Sequence, residues 1–485
     1  MKPLYDLIVI GSGPAGEKAA LMAAFYGHSV ALIEKEPRLG GAGTNTGTLP
    51  SKTLKETAVF LSGFNDRGLF GIERRPERTI CVKDLFFRKN EVTSKQADDI
   101  RRNMKILKVD VFQGTASFVD NNTVKVTAPG GPPIRIKGTF ILIATGSYPF
   151  HLPGVPFDGK RVHDSDTILE IDHIPDSIVI VGAGVIGCEY ATVFAALGSK
   201  VSLINGHPEF LTFIDGEVLS ILRREMESEG VKFLMPNRAE GVTVCQREGK
   251  TVVTAHLTDG AAIEADMFLY AAGRAGGTAG LNLDAVGIKP NARQLLDVDD
   301  KYRTSVPNIF AAGDVIGFPA LASTSQDQGR VAVTHMFGLH EFEKVDQSFP
   351  MGVYTIPEVS CVGLTEEEAK KNKVNYLVGR AWYKDVPRGR IIGSRFGLLK
   401  ILVDPESMLI IGVHIIGRIA TELIHFGMAL VEEKVLVGRV ASNVYNQPTL
   451  HELYKVAAFD VMRQKQGMPA FNRSEDSASG PGVES

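Results

Sequence analysis

The stretch Tyr5–Glu36, YDLIVIGSGPAGEKAALMAAFYGHSVALIEKE, decides the fold. A strand-like apolar run, Tyr5 to Ile10, stops at Gly11, and Gly11, Gly13 and Gly16 give the spacing GxGxxG. An alanine-rich helical stretch follows, and a second apolar run ends on Glu34. Working outward, Ser177–His207, SIVIVGAGVIGCEYATVFAALGSKVSLINGH, repeats the pattern with Gly182, Gly184 and Gly187. Its second run ends at the same offset on Asn205. A lone GxGxxG is a weak signal, because glycine turns are common. Here each copy follows a strand, opens a helix and reaches a polar residue about 20 positions on, the context of a dinucleotide-binding βαβ unit.

That spacing has a physical reason. The first glycine turns the chain, the second lets backbone meet a pyrophosphate, and the third lets helix pack on strand. The helix N-terminus presents free N–H groups and partial positive charge to the phosphates. An acidic residue at the second strand end takes ribose hydroxyls, a role that fits Glu34. Asn205 is neutral and both donates and accepts, so it repels no 2′-phosphate. No Arg or Lys follows it closely in sequence, only His207. The second site therefore carries no strong choice between NAD and NADP; the plain alternative for Asn205 is a strand-end turn residue.

At 485 residues the chain needs several domains. A formal net charge of −3 with 22% charged residues leaves no basic field for nucleic acid. No apolar stretch reads as a membrane span, and the first strand begins so near Met1 that a signal peptide is not expected. Cys81, Cys188, Cys245 and Cys361 are scattered without a CxxC, which points to a reducing, cytoplasmic setting and to neither a disulfide framework nor a metal site.

Further segments carry a resemblance. These are ILIATGSYP (Ile141–Pro149), LYAAGR (Leu269–Arg274), NIFAAGDV (Asn308–Val315) and YTIPEVSCVGLTEEEA (Tyr354–Ala369), in that order. Together with the two glycine motifs they resemble the pyridine nucleotide-disulfide oxidoreductase family, the group of lipoamide dehydrogenase and glutathione reductase. The resemblance implies an α/β fold with two Rossmann-like domains, for FAD and for NAD(P), and a C-terminal α+β interface domain that forms a homodimer. The implied ranges are 1–150 with 273–346 for the split FAD domain, 151–272 for the NAD(P) domain and 347–465 for the interface domain. Residues 466–485, rich in Gly, Ser, Pro and charge, read as a disordered tail.

The resemblance also implies roles. Lys52, after Pro50 and Ser51, matches a lysine beside the flavin N5, and Glu189 matches its ion-pair partner; these two are the catalytic candidates. Asp314 matches the aspartate on the ribityl chain, Gly114 a backbone contact to adenine, and Leu321 and Ala322 an approach to the flavin ring. Lys35, Gly41, Thr44, Thr145, Gly146, Gly273, Arg274 and Gly313 complete the cofactor-binding positions implied by the same motifs.

The departures carry most information. Within GGAGTNTGTLPSK (Gly40–Lys52) the family has two cysteines with four residues between them, and this chain has Gly43 and Thr48 at those two positions. Only sulfur cycles between thiol and disulfide, so no dithiol relay exists. In YNQPTLHELYKVAA, Gln447 stands where the family places a catalytic His, while its partner Glu452 is kept. Gln takes up no proton near neutral pH. His451, adjacent to Glu452, points elsewhere on the helix and reads as an ordinary polar residue. Cys188, next to Gly187, reads as a small packing residue.

Electrons that enter from a reduced nicotinamide must then leave to an acceptor that reaches the flavin directly. The reading is a soluble NAD(P)+ transhydrogenase working by ping-pong hydride transfer between NADPH/NADP+ and NADH/NAD+ through FAD. An NAD(P)H dehydrogenase with a quinone or other non-thiol acceptor, and a non-catalytic FAD-binding scaffold, stand as alternatives.

Overall fold

The computed structural model describes residues 4–64, 69, 80–247, 249–346, 348–394 and 396–469. Most of the expected tail, from 470 on, lies outside the described residues. Contacts divide the described residues into two units. The first is drawn from Met1–Leu61, Pro76–Pro208 and Lys232–Gln347, the second from Ser62–Arg75, Glu209–Val231 and Ser348–Ser485.

The first unit holds both glycine motifs. Strand Tyr5–Ile10 runs parallel to Val30–Glu34 on one side and to Ile134–Ile143 on the other, with Leu7 opposite Val30 and Phe140. Asp110–Gln113 extends the sheet beyond Val30–Glu34, and Ile309–Ala311, far along the chain, pairs in parallel with Ile134–Ile143. Tyr5–Ile10, Val30–Glu34 and Ile309–Ala311 are buried along nearly their whole length, as the centre of a covered parallel sheet requires, while Asp110–Gln113 at the edge is largely exposed. The helix Pro14–Phe25 starts on a proline and is built largely of alanine, a start and a composition that favour helix. Its small side chains let helix Ala322–Phe337 cross at short range: a Cβ on Gly329 would lie 2.2 Å from the Ala15 carbonyl oxygen.

The second motif builds its own parallel sheet, in the order Val231–Leu234, Lys200–Ile204, Ser177–Val181, Met267–Tyr270, Val162–Asp164. A three-stranded antiparallel meander, Ala239–Arg247, Lys250–Leu257 and Ala262–Ala265, is inserted in the chain between its strands Val231–Leu234 and Met267–Tyr270. The fold class read from the sequence, α/β with two Rossmann-like halves, is the one observed.

The second unit is α+β. Five antiparallel strands, in the order Met351–Val353, Glu358–Gly363, Ile410–Gly417, Leu398–Val403, Leu377–Trp382, carry helices Ala420–Glu432, Val437–Ser442 and Glu452–Lys465. Val413, Ile415, Leu423, Leu453 and Ala457 are among the residues of their shared core. Tyr454 is buried there, and its hydroxyl donates to the Leu423 carbonyl at 2.7 Å and accepts from the Gly427 N–H at 3.0 Å, which satisfies its polar end. Helix Gly216–Ser228 belongs to this unit, although its sequence lies between strands of the first.

Candidate active site

The two glycine motifs have the same local geometry. A Cβ on Gly11 would lie 2.4 Å from the Ala144 carbonyl oxygen, and one on Gly16 would lie 2.0 Å from the Gly11 carbonyl oxygen. In the second copy, Gly182 and Gly187 would meet carbonyl oxygens of Ala271 and Gly182 at 2.7 and 1.8 Å. The middle glycine differs in both copies. Gly13 would touch only Gly41 Cα, at 3.9 Å, and Gly184 would meet nothing within 4 Å. The outer glycines are required by the protein's own backbone, while the middle one leaves bare backbone facing free space. That is the division of labour expected of a pyrophosphate cradle. At the second copy the space is an open cleft of about 420 Å³ lined by Gly182, Gly184, Val185, Asn205, Gly273 and Arg274, among others.

At both strand ends the polar residue is tied to its glycine loop. Glu34 Oε2 accepts from the Ser12 N–H at 2.9 Å and from the Ser12 hydroxyl at 2.6 Å, and its Oε1 accepts from the Glu36 N–H at 2.9 Å. Asn205 Oδ1 accepts from the Ala183 N–H at 3.3 Å, but its amide donates to the His207 carbonyl at 2.9 Å. The amide therefore makes the same turn as the acid with one bond reversed, and it puts no carboxylate at this strand end. Both the turn role and the cofactor-facing role of Asn205 fit this arrangement.

On the flavin side, Lys52 and Glu189 come together across 137 residues of sequence. Lys52 Nζ lies 2.7 and 2.6 Å from the two oxygens of Glu189. Lys52 sits in helix Thr48–Ser62 and Glu189 in the second glycine helix, Val185–Ala196, so the pair ties the Gly40–Lys52 segment to the second nucleotide motif. Glu189 is only 7% exposed, and the Lys52 ammonium neutralises it there.

The segment Leu269–Arg274 meets the segment Asn308–Val315 through one hydroxyl. Arg274 Nε donates to Ser147 Oγ at 2.8 Å, and Ser147 Oγ donates to Asp314 Oδ2 at 2.8 Å. Arg274 also donates to the Ser147 carbonyl and to Ser165 Oγ. Nearby, burial pushes the Asp166 carboxyl above its usual range, against the pull of Arg274.

Other predicted positions fall around the same loops. Gly114 N–H donates to the Glu34 carbonyl at 2.8 Å, which puts it beside the first strand end. Thr44 is buried in the short helix Gly41–Asn45, whose first residue abuts Gly13. Leu321 caps the helix that Ala322 opens, and Gly313 donates its N–H to Gln328. Lys35 is largely exposed.

Thr145 Oγ1, next to Gly146, is buried without a hydrogen-bond partner among the described residues. Buried hydroxyls are normally bonded, so this atom fits a ligand group. With the open Gly13 backbone, it makes the residues present compatible with a bound FAD.

Neither position of the family's dithiol carries sulfur. Gly43 and Thr48 occupy the segment Gly40–Lys52, and a Cβ on Gly43 would lie 2.8 Å from Pro14 Cγ. Cys188 is fully buried, its Sγ 3.5 Å from the Ala183 carbonyl oxygen, and burial pushes the thiol far up. Burial likewise pushes the Cys361 thiol up to about 12. Both are packing residues, as read for Cys188. In the second unit Gln447 is exposed, and Glu452 accepts from the Thr449 N–H at 3.4 Å. His451 precedes helix Glu452–Lys465 and lies against Phe426 and Tyr454. Alkylation with N-ethylmaleimide after reduction by NADPH is therefore expected to label exposed Cys81 and to leave nucleotide turnover intact. Activity lost in step with modification of any cysteine would refute a thiol-free route.

Sequence reasoning missed a buried ion cluster in the second unit. Lys400, 1% exposed, reaches Asp215 Oδ1 at 2.7 Å, Glu217 Oε2 at 3.0 Å and Glu366 Oε1 at 2.5 Å. Asp215 also caps helix Gly216–Ser228 by accepting from the Glu217 N–H. A lysine within the apolar strand LLKILV was the only available signal.

The family model described as pyridine nucleotide-disulphide oxidoreductase matches residues 5–329, and that family's dimerisation-domain model matches residues 349–458. A soluble pyridine nucleotide transhydrogenase of Mycobacterium bovis BCG is 42% identical over 97% of this chain and 99% of its own. One from Pseudomonas entomophila is 40% identical over 94% and 98%. Among solved structures, LpdA from Mycobacterium tuberculosis superposes with a TM-score of 0.85 at 28% identity, covering 93% of this chain and 99% of that one. The flavoprotein disulfide reductase RclA from Escherichia coli, as its Cu(II) complex, gives 0.84 at 27% over 95% and 99%. Motifs, fold and relatives agree, and the chain belongs to the pyridine nucleotide-disulphide oxidoreductase family.

Proposed function

We propose that this protein is an FAD-dependent soluble NAD(P)+ transhydrogenase, working as a homodimer in the cytoplasm, with NADPH/NADP+ and NADH/NAD+ as its substrates. The observation that carries the reading is the Lys52–Glu189 pair at the second of two intact dinucleotide cradles, in a chain with Gly43 and Thr48 in place of the dithiol and Gln447 in place of the histidine. The transhydrogenase names of relatives at 40–42% identity support it. So does the match to the dimerisation-domain model. Among the described residues, no helix is long and apolar enough to cross a membrane. The ranges 1–150 with 273–346 for FAD, 151–272 for NAD(P) and 347–465 for the interface remain part of this proposal.

A bound FAD would supply a ring that takes hydride from one reduced nicotinamide and returns it to another. The residues of this chain prepare its surroundings. Gly13 and Gly184 would receive the two pyrophosphates on bare backbone. Glu34 and Gly114 would hold the FAD adenosine end, and Thr145 and Asp314 would bond its middle portion. Lys52, anchored by Glu189, would place a positive charge where negative charge develops.

The test supplies NADPH and thio-NAD+, whose reduced form absorbs at a longer wavelength, to FAD-loaded protein. Steady NADPH-dependent thio-NAD+ reduction is expected, with no long-wavelength thiolate–flavin band on reduction. Fast quinone reduction with negligible exchange between nucleotides would refute the transhydrogenase reading.

A further inference from the structure

The sequence shows no cation close behind Asn205, but the fold supplies one from 33 residues further on. The Asn237 N–H donates to the Asn205 carbonyl at 2.8 Å, which sets residue 238 directly beside the second strand end. The Arg238 N–H donates to Asn237 Oδ1 at 2.9 Å, and the Asn237 amide is held by Asp259 Oδ2 at 2.8 Å. Thr258 donates its hydroxyl to Asn237 Oδ1 at 2.8 Å and its N–H to the Arg238 carbonyl at 3.0 Å. The backbone that presents Arg238 is thus pinned from three sides.

The side chain then lies over Gly206. A Cβ at residue 206 would stand 2.6 Å from Arg238 Nε and 3.0 Å from its Cγ. Gly206 has no left-handed backbone that would call for glycine, so the missing side chain serves to leave this space open. Arg238 is exposed, and among the described residues no carboxylate pairs with its guanidinium. The Asp259 carboxylate is occupied by the Asn237 amide and the Ala261 N–H.

We propose that Arg238 is the specificity-determining residue that binds the 2′-phosphate of NADP(H) at the second cradle, with Gly206 leaving it room. This rests on the proposed function in taking NADP(H) as a ligand of this site, and it goes beyond that reading by naming the group that recognises the phosphate. A guanidinium fork matches phosphate oxygens in a way that an ammonium does not. Neutral Asn205 adds no repulsion, and an exposed arginine can move aside when the ribose carries no phosphate. One strand end can therefore admit both nucleotides.

The experiment titrates FAD-loaded protein with adenosine 2′,5′-bisphosphate and with ADP by calorimetry, needing no hydride transfer. Arg238→Gln is expected to weaken bisphosphate binding by roughly tenfold or more and to change ADP binding less than twofold. Arg238→Lys should fall between, and the salt dependence of bisphosphate binding should flatten in Arg238→Gln. Equal losses for both ligands, or an unchanged bisphosphate affinity, would overturn the assignment. Preserved 2′-phosphate discrimination in a protein that exchanges no hydride between nucleotides would refute the transhydrogenase reading and leave Arg238 in place.

Discussion

Lys52→Met is expected to slow the bleaching of bound flavin by NADPH by about a hundredfold or more, the scale seen when a preorganised electrostatic group is removed from a reacting centre. Two effects act together. The variant removes the cation that would face negative charge on the reduced ring, and it leaves Glu189, 7% exposed, without the ammonium at 2.6 Å. The Glu189 carboxylate, no longer faced by that ammonium, then opposes the same charge. Glu189→Gln removes the anchor but keeps the cation, so a smaller loss, of about tenfold, is expected. Stopped-flow absorbance at the flavin band measures both, and retained FAD absorbance in the purified variants shows that binding survives. Bleaching of Lys52→Met at the wild-type rate would remove Lys52 from the mechanism.

The second large effect concerns stability. Lys400→Met should destabilise the second unit by about 3–5 kcal/mol, the cost of leaving buried charge without its partner. Asp215 is fully buried and Glu366 largely so, and Lys400 is the cation they share. Methionine fits the space of the stem but offers no charge. Chemical denaturation, with hydrogen exchange of strand Leu398–Val403 as the local probe, measures the change. A loss below about 1 kcal/mol would mean that the carboxylates find protons or water at little cost.

The same cluster sets a pH dependence. Burial disfavours ionised Asp215 and Glu366, yet both carboxyls lie below their usual range, Asp215 through His414 and the Lys400 ammonium and Glu366 through Lys400. Groups with depressed folded values contribute stability above their ordinary pKa and lose it as pH falls through the folded value. Burial also lowers His414, which is fully enclosed and bonded through Nε2 to the Leu364 carbonyl oxygen at 2.9 Å. Its unfolded imidazole binds protons first, so stability should begin to fall as pH drops below about 6.5. The carboxylates deepen that fall below about 4.5. Lys400 is shifted up despite its burial, so its contribution persists through neutral pH and is lost only in strong alkali.

Much of the fold was legible because its signals are local. Gly11 and Gly16 are dictated by carbonyl oxygens within their own βαβ unit and its neighbouring strand, and the strand runs on either side are short and apolar. The absent chemistry was equally legible, since Gly43, Thr48 and Gln447 exclude thiol and imidazole by composition alone. Asn205 was visible as neutral, but its reversed bond to the His207 carbonyl was not, because donor and acceptor look alike in a sequence. Arg238 was invisible for another reason. Nothing in Pro236–Glu240 marks a nucleotide site until the Asn237–Asn205 hydrogen bond brings two strand ends together.

The sequence by itself determined two dinucleotide cradles, the order of elements and the absence of sulfur at Gly43 and Thr48, since each depends on residues a few positions apart or on a single residue's chemistry. The Lys52–Glu189 pair was implied by the family resemblance, but only the tertiary structure decided where the other charges meet. Lys400 finds Asp215 across 185 residues, and Arg238 settles over Gly206. A charged side chain's effect depends on the dielectric and the partner within a few ångströms, and those are properties of packing that no local pattern encodes.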